Sequence, residues 1–161
     1  MDGFAAQLRD KGLRNTPQRR AVLIALTDAP HSTAAELAAS VSSAGARSAA
    51  AGRPVVASVD GLSRQGLYNV LEDLTRAGLV RCIEPAGSPA RYEVRVGDNH
   101  HHLVCRGCGR IQDVSCVVGE APCLSPSEFE GFTVDEAEVI WWGTCDACAR
   151  TAAPHNPRPT R

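Results

Sequence analysis

The sequence lacks any run of about 18 apolar residues, so it offers no helix able to cross a bilayer. It also lacks the greasy opening of a secretory leader, because MDGFAAQLRD carries charges where the apolar core of a signal peptide would stand. The expectation is a cytoplasmic chain with no membrane partner. An excess of either charge is missing too: the formal net charge is −1, and composition by itself gives no sign of a polyanionic partner. Lysine is almost absent. Sixteen of the 17 cationic residues are Arg, a bias that suits bidentate phosphate and guanine contacts but that a GC-rich genome would also produce. Dividing the chain after Glu84 separates the charge: the first part has 10 cationic against 8 acidic residues (net +2), the remainder 7 against 10 (net −3).

Cysteine is what the chain has in quantity, with seven residues. Four of them form two CxxC pairs, Cys105 and Cys108 in HHLVCRGCGR and Cys145 and Cys148 in GTCDACAR. Each CxxC turn presents two thiolates on one side, and two such turns brought together supply the four ligands of a closed, tetrahedral structural zinc site. Ordinary buried thiols or a disulfide pair are the plainer alternatives. In a reducing compartment, CxxC pairs hold metal or do redox work more often than they form structural disulfides. Cys116 and Cys123 bracket VVGEAP and fit either a redox disulfide or a pair of buried thiols. Cys82, further upstream, fits simple packing.

The pattern of elements is α+β. Asn15-Thr16-Pro17 supplies a cap and a first-turn proline for a helix carrying Val22, Leu23 and Leu26. Ser32 or Thr33 caps a second helix with Leu37 and Val41, and the Ala/Ser/Gly-rich stretch of about 42–60 is expected to be a long loop. Ser63 caps SRQGLYNVLEDLTRAG, where Leu67, Val70, Leu71 and Leu74 share one face and Gly78 marks the stop. Leu79–Glu84 and Arg91–Val96 flank the turn PAGSPA as a hairpin. Helix, helix, helix and hairpin is the order of a winged helix-turn-helix. On that reading Arg64, Gln65, Tyr68 and Asn69 face the major groove near the start of the third helix, and a small bundle with a solvated polar face is the alternative.

The remainder is richer in strands: His100–Cys105, Arg110–Ser115 and Thr133–Gly143 have strand character. The boundaries expected are a DNA-binding domain over 1–96, a hinge at 97–99, a dimerisation and metal-binding domain over 100–150, and a disordered tail over 151–161. A small zinc-closed sheet gains by pairing with that of a second chain, which would place two winged helices on a palindromic site.

The segments GLRNTPQR, HSTAAEL, SRQGLYNVLEDLTRAGLV, RYEV, HHHLVCRGCGRIQDV and WWGTCDAC together resemble the ferric uptake regulator family of metal-dependent repressors. The histidine run leading directly into CxxCG, with a closing CxxC, is the specific part. RVGDNHHHLVCRGCG, VGEAPCLS and DEAEVI look like its actinobacterial, peroxide-responsive catalase repressors; the Ser42–Val59 segment is longer than usual. The resemblance implies a homodimer on a palindromic double-stranded DNA operator, with structural Zn(II) and a regulatory Fe(II) or Mn(II). It implies regulatory ligands at His31, Glu93, His100, His102 and Asp113, a nitrogen and carboxylate set that suits Fe(II), Mn(II) or Zn(II). It also implies DNA contacts from Arg14, which would enter the minor groove, Arg19 and Ser63, beside the four helix residues above.

Each position has a plainer reading. His31 alone fits a surface histidine at a helix start, Glu93 a solvated hairpin charge, Asp113 a surface strand residue. His100 and His102 alternate to one strand face, and His101 points the other way. Peroxide sensing would oxidise a ligand histidine, His31 or His100, or alternatively the Cys116 and Cys123 thiols. An iron- or zinc-uptake regulator would share the architecture. A zinc-stapled adaptor is another class; a zinc hydrolase or deaminase would need an open coordination position that four thiolates do not leave.

Overall fold

The computed structural model describes residues 3–50, 62–94, 96, 100–115, 130–133 and 139–151. Two compact units, Met1–Asp98 and Asn99–Arg161, divide the chain.

The first unit is a helical core with a small sheet. Helix α1 (Gly3–Asp10) inserts Leu8 into the core and stops at Gly12, whose φ of +71° lets Leu13 N–H bond back to the Leu8 carbonyl at 2.8 Å. Helix α2 (Pro17–Asp28) starts where expected: the Thr16 side chain accepts from Arg19 N–H, and Pro17 occupies the first turn. Strand β1 is only Ser32–Thr33. It runs straight into α3 (Ala34–Ala50), where Thr33 and Glu36 form a capping box: Thr33 N–H donates to Glu36 Oε2 at 2.7 Å and Glu36 N–H to Thr33 Oγ1 at 3.2 Å.

Helix α3 corrects the expected loop. Residues 42–50 continue the helix, because alanine is the strongest helix former and Ala-Ala-Glu-Leu-Ala-Ala leads the turn into a stretch whose lack of apolar period does not prevent it. The rest of the supposed loop lies outside the described residues.

Helix α4 (Arg64–Arg76) has Ser63 as its cap, accepting from Gly66 N–H at 3.0 Å. It ends in a Schellman turn: Gly78 at φ +65° lets its own N–H reach Thr75 O and Leu79 N–H reach Leu74 O, both at 2.9 Å. The buried Leu67, Leu71 and Leu74 interlock with Val22, Leu23 and Leu26 of α2 and with Leu37 and Val41 of α3. Truncating any one of these leucines to alanine would cost about 2–5 kcal/mol. Strands β2 (Arg81–Ile83) and β3 (Arg91–Glu93) form the hairpin, and β1 pairs with the other side of β3, giving the order β1-β3-β2, all antiparallel.

In the second unit β4 (His100–Cys105) is central, with β5 (Ile111–Ser115) antiparallel on one side and β6 (Ile140–Gly143) parallel on the other. The strand expected from Thr133 is shorter: Thr133 is not in a strand, and the described strand residues begin at Ile140. A short helix, α5 (Asp146–Thr151), follows. Cys116 and Cys123, the hinge at 97–99 and almost all of the tail fall outside the described residues.

Candidate metal centres and nucleic-acid surface

The cysteine centre is built by backbone register. Parallel pairing places Gly143 opposite Cys105, so the chain leaving β6 delivers Cys145 beside the turn that follows β4. Cys145 then opens α5, its carbonyl accepting from Ala149 N–H at 2.8 Å, and one helical turn brings Cys148 to the same face. On the other side, Gly109 N–H returns to the Cys105 carbonyl at 2.9 Å and closes the CRGC turn. The four sulfurs lie within 4.8 Å of one another.

Their spacing fits zinc. A tetrahedron with Zn–S bonds of about 2.3 Å has S···S edges of about 3.8 Å, and Cys108 Sγ and Cys145 Sγ stand 3.7 Å apart. All four are free thiols, so the disulfide alternative is set aside. Electrostatics point the same way. Cys145 N–H donates to Cys105 Sγ at 3.3 Å, and backbone donors from Cys145, Cys108 and Gly107 hold the Cys105 thiol down to about 6. Hydrogen bonding among the crowded sulfurs of Cys108, Cys145 and Cys105 pushes Cys148 up to about 12. One thiolate is favoured and a further one opposed, a conflict that a divalent cation at the centre resolves. Gly107 is required here: a Cβ on it would lie 3.0 Å from Cys148 Sγ and 3.2 Å from Cys148 Cβ.

Within each unit, nitrogen and carboxylate side chains gather. In the first, His31 Nε2 lies 3.1 Å from Glu93 Oε2, and Arg81 Nη1 lies 3.7 Å from Glu93 Oε1. Glu93 is no solvated hairpin charge, since its side chain is 1% exposed. His31 has φ +60°, and its carbonyl accepts from Arg91 Nη1 at 2.9 Å. In the second unit His100 Nε2 and His102 Nε2 lie 3.9 and 3.8 Å from Asp113 Oδ1, because the β4–β5 register sets His102 directly opposite Asp113. His100 and His102 meet edge to face at 4.9 Å. His101 packs edge-on against Trp141 at 5.2 Å instead, in keeping with its opposite strand face.

Ser63, Arg64, Gln65, Tyr68 and Asn69 all lie exposed around the first turns of α4, and Tyr68 is 42% exposed although large and apolar. Gln65 Nε2 donates to Asn69 Oδ1 at 2.9 Å, aligning two amides one helical turn apart. Arg14 is exposed too. Arg19 differs: its guanidinium is engaged with Asp73 Oδ2 at 2.6 Å and with the Arg14 carbonyl at 2.8 Å. Cys82 packs against the core of the first unit beside Tyr92, whose hydroxyl is pushed up to about 12 by burial and by Cys82.

Residues 53–140 match the model of the ferric uptake regulator family. The chain is 51% identical over 146 residues to the transcriptional regulator FurA of Mycobacterium tuberculosis, covering 91% of this chain and 90% of that one. It belongs to the ferric uptake regulator family. Ferric uptake regulation protein 1 of Mycolicibacterium fortuitum is 47% identical over 141 residues, covering 88% of this chain and 79% of that relative. Among solved structures, the Helicobacter pylori ferric uptake regulator, described as having three functional metal binding sites, superposes with a TM-score of 0.60 at 18% identity, covering 91% of this chain and 89% of that one. Members of this family are DNA-binding transcriptional regulators and not enzymes, which removes the hydrolase, deaminase and adaptor alternatives. Among the described residues no helix is long and apolar enough to cross a membrane.

Proposed function

We propose that the chain is a metal-dependent repressor, a homodimer on a palindromic operator, whose DNA affinity is set by a second, regulatory metal held by His31, Glu93, His100, His102 and Asp113. The observation that carries this reading is the company those side chains keep: among the described residues His31, His100 and His102 each have a carboxylate oxygen 3.1–3.9 Å from Nε2. Imidazole and carboxylate without sulfur suit Fe(II) or Mn(II), whereas the four cysteines suit zinc. Ligands drawn from both units would make metal binding favour one arrangement of the two, and only that difference in affinity would couple the metal to DNA.

Fe(II) in such a set supplies a one-electron reductant for peroxide beside its own ligand imidazoles. Peroxide is therefore the proposed signal and a catalase or catalase-peroxidase gene the proposed target, in line with the likeness of VGEAPCLS and DEAEVI to peroxide-responsive catalase repressors. The test is operator binding by zinc-loaded protein with no second metal, with Fe(II), with Mn(II) and with Zn(II), each before and after dilute peroxide. Metal-dependent binding that peroxide abolishes for Fe(II) but not for Mn(II), with one oxygen added to a peptide containing His31 or His100, is expected. Binding indifferent to the second metal would overturn the reading.

The name of the Mycolicibacterium fortuitum relative favours a second reading, an iron-uptake regulator. That reading expects Fe(II)-dependent binding that dilute peroxide leaves intact.

A further inference from the structure

His31 is the only residue other than glycine with positive φ among the described residues, at +60°. A side chain in that region crowds the backbone, and the conformation persists only where surrounding contacts hold it. Those contacts come from one strand. Residues Arg91 and Glu93 are two apart on β3 and so share a face. Arg91 Nη1 donates to the His31 carbonyl at 2.9 Å, while Glu93 Oε2 stands 3.1 Å from His31 Nε2. The strained residue is therefore gripped at its backbone by one side chain and met at its imidazole by the next but one. The register that makes this possible is short: β1 pairs Ser32 with Tyr92 and Thr33 with Arg91, leaving His31 just beyond the last paired residue.

We infer that Arg91 is the positioning residue for His31, holding the left-handed turn that presents the imidazole to the regulatory metal; this rests on the proposal above that His31 is a ligand. Without the guanidinium, His31 relaxes toward negative φ and its imidazole turns away from Glu93. Arg91 has a second neighbour, Glu36 Oε2 at 3.8 Å, but that carboxylate is 61% exposed, so the ion pair contributes little and the grip on the carbonyl is the contact that matters. Residues that orient a metal ligand without touching the metal typically change affinity by about 10- to 100-fold when removed.

The experiment is Mn(II) titration of full-length, zinc-loaded protein, reading free Mn(II) by electron paramagnetic resonance, for wild type, His31→Ala, Arg91→Ala and Arg91→Lys. Zinc content and helix content are recorded for each. Arg91→Ala is expected to weaken Mn(II) binding by about 10- to 100-fold at unchanged zinc and helix content. Arg91→Lys, which keeps one donor within reach of the carbonyl, is expected to recover part of the loss and gives the same comparison if the alanine variant does not fold. Wild-type Mn(II) affinity in both Arg91 variants, with a weakened His31→Ala, would overturn the positioning role and leave the ligand assignment standing. Wild-type affinity in His31→Ala would overturn the ligand assignment, and the inference with it.

Discussion

Arg19 reaches across 54 positions of sequence to Asp73, Nη2 to Oδ2 at 2.6 Å, while its other terminal nitrogen holds the Arg14 carbonyl at 2.8 Å. One guanidinium thereby ties α2 and the segment bearing Arg14 to α4. In the sequence Arg19 stands as a DNA contact; in the structure each of its terminal nitrogens makes one bond within the protein, and its side chain is 16% exposed. Arg19→Gln should weaken operator binding without changing the slope of log affinity against log salt, and Asp73→Asn should do the same. Arg64→Gln, if Arg64 meets a phosphate, should lower the slope by about 0.9. A lowered slope for Arg19→Gln would show that the residue also meets a phosphate.

Tyr68 presents an exposed ring on the same helix as the aligned Gln65 and Asn69 amides. Tyr68→Ala should reduce specific binding by about 1–3 kcal/mol while zinc content and oligomeric state stay unchanged. Gel shifts on specific and scrambled duplexes check this, and equal affinity for wild type and variant would count against α4 as the reading helix.

The zinc centre gives two substitutions of different kind. Cys105→Ser or Cys148→Ser leaves three sulfur ligands and should release tightly bound zinc, measured by metal analysis after dialysis against a chelator. Gly107→Ala keeps all four ligands but drives a methyl to 3.0 Å from Cys148 Sγ. It should hold zinc more weakly than wild type, releasing it at lower chelator concentration, and undiminished retention would show that the CRGC turn yields to the methyl.

Glu36 makes one pH-dependent contribution to the stability of the first unit. Hydrogen bonds from the Thr33 backbone and side chain lower its pKa from the ordinary value of 4.5, with Arg91 adding a smaller pull in the same direction. A depressed carboxylate contributes stability that is present above the unfolded value and fades as pH falls through the folded one. Wild type should therefore exceed Glu36→Gln in thermal stability at neutral pH, and the two curves should converge below about pH 4.5. Parallel curves down to strong acid would remove the capping box from the account.

What the sequence disclosed is what local geometry encodes. Thr16-Pro17, Ser63 and Gly78 fix helix ends through bonds to residues at most five away, and the two CxxC turns are each complete within four residues. Helix α1 escaped because eight residues carry too few apolar positions for a period to show, and β1 because two residues carry none. The alanine-rich continuation of α3 has helix propensity without the amphipathic pattern by which a helix shows in a sequence. The donor pairs His31 with Glu93 and His102 with Asp113 became visible once strand register was known. The left-handed turn at His31 had no signal at all, since histidine in that conformation is stabilised by Arg91, 60 residues away.

The parallel pairing of β4 with β6 bears on how fast the protein folds. Parallel neighbours cannot be joined by a tight hairpin, and here Cys108 and Cys145 are 37 positions apart, so β6 must find its place through a long loop closure before any ladder bond rewards it. Zinc captured by both CxxC turns shortens that search by delivering β6 next to Cys105. Refolding of the second unit should thus accelerate with zinc, whereas the helical core of the first, which holds none of these four cysteines, should fold at a rate the zinc does not touch.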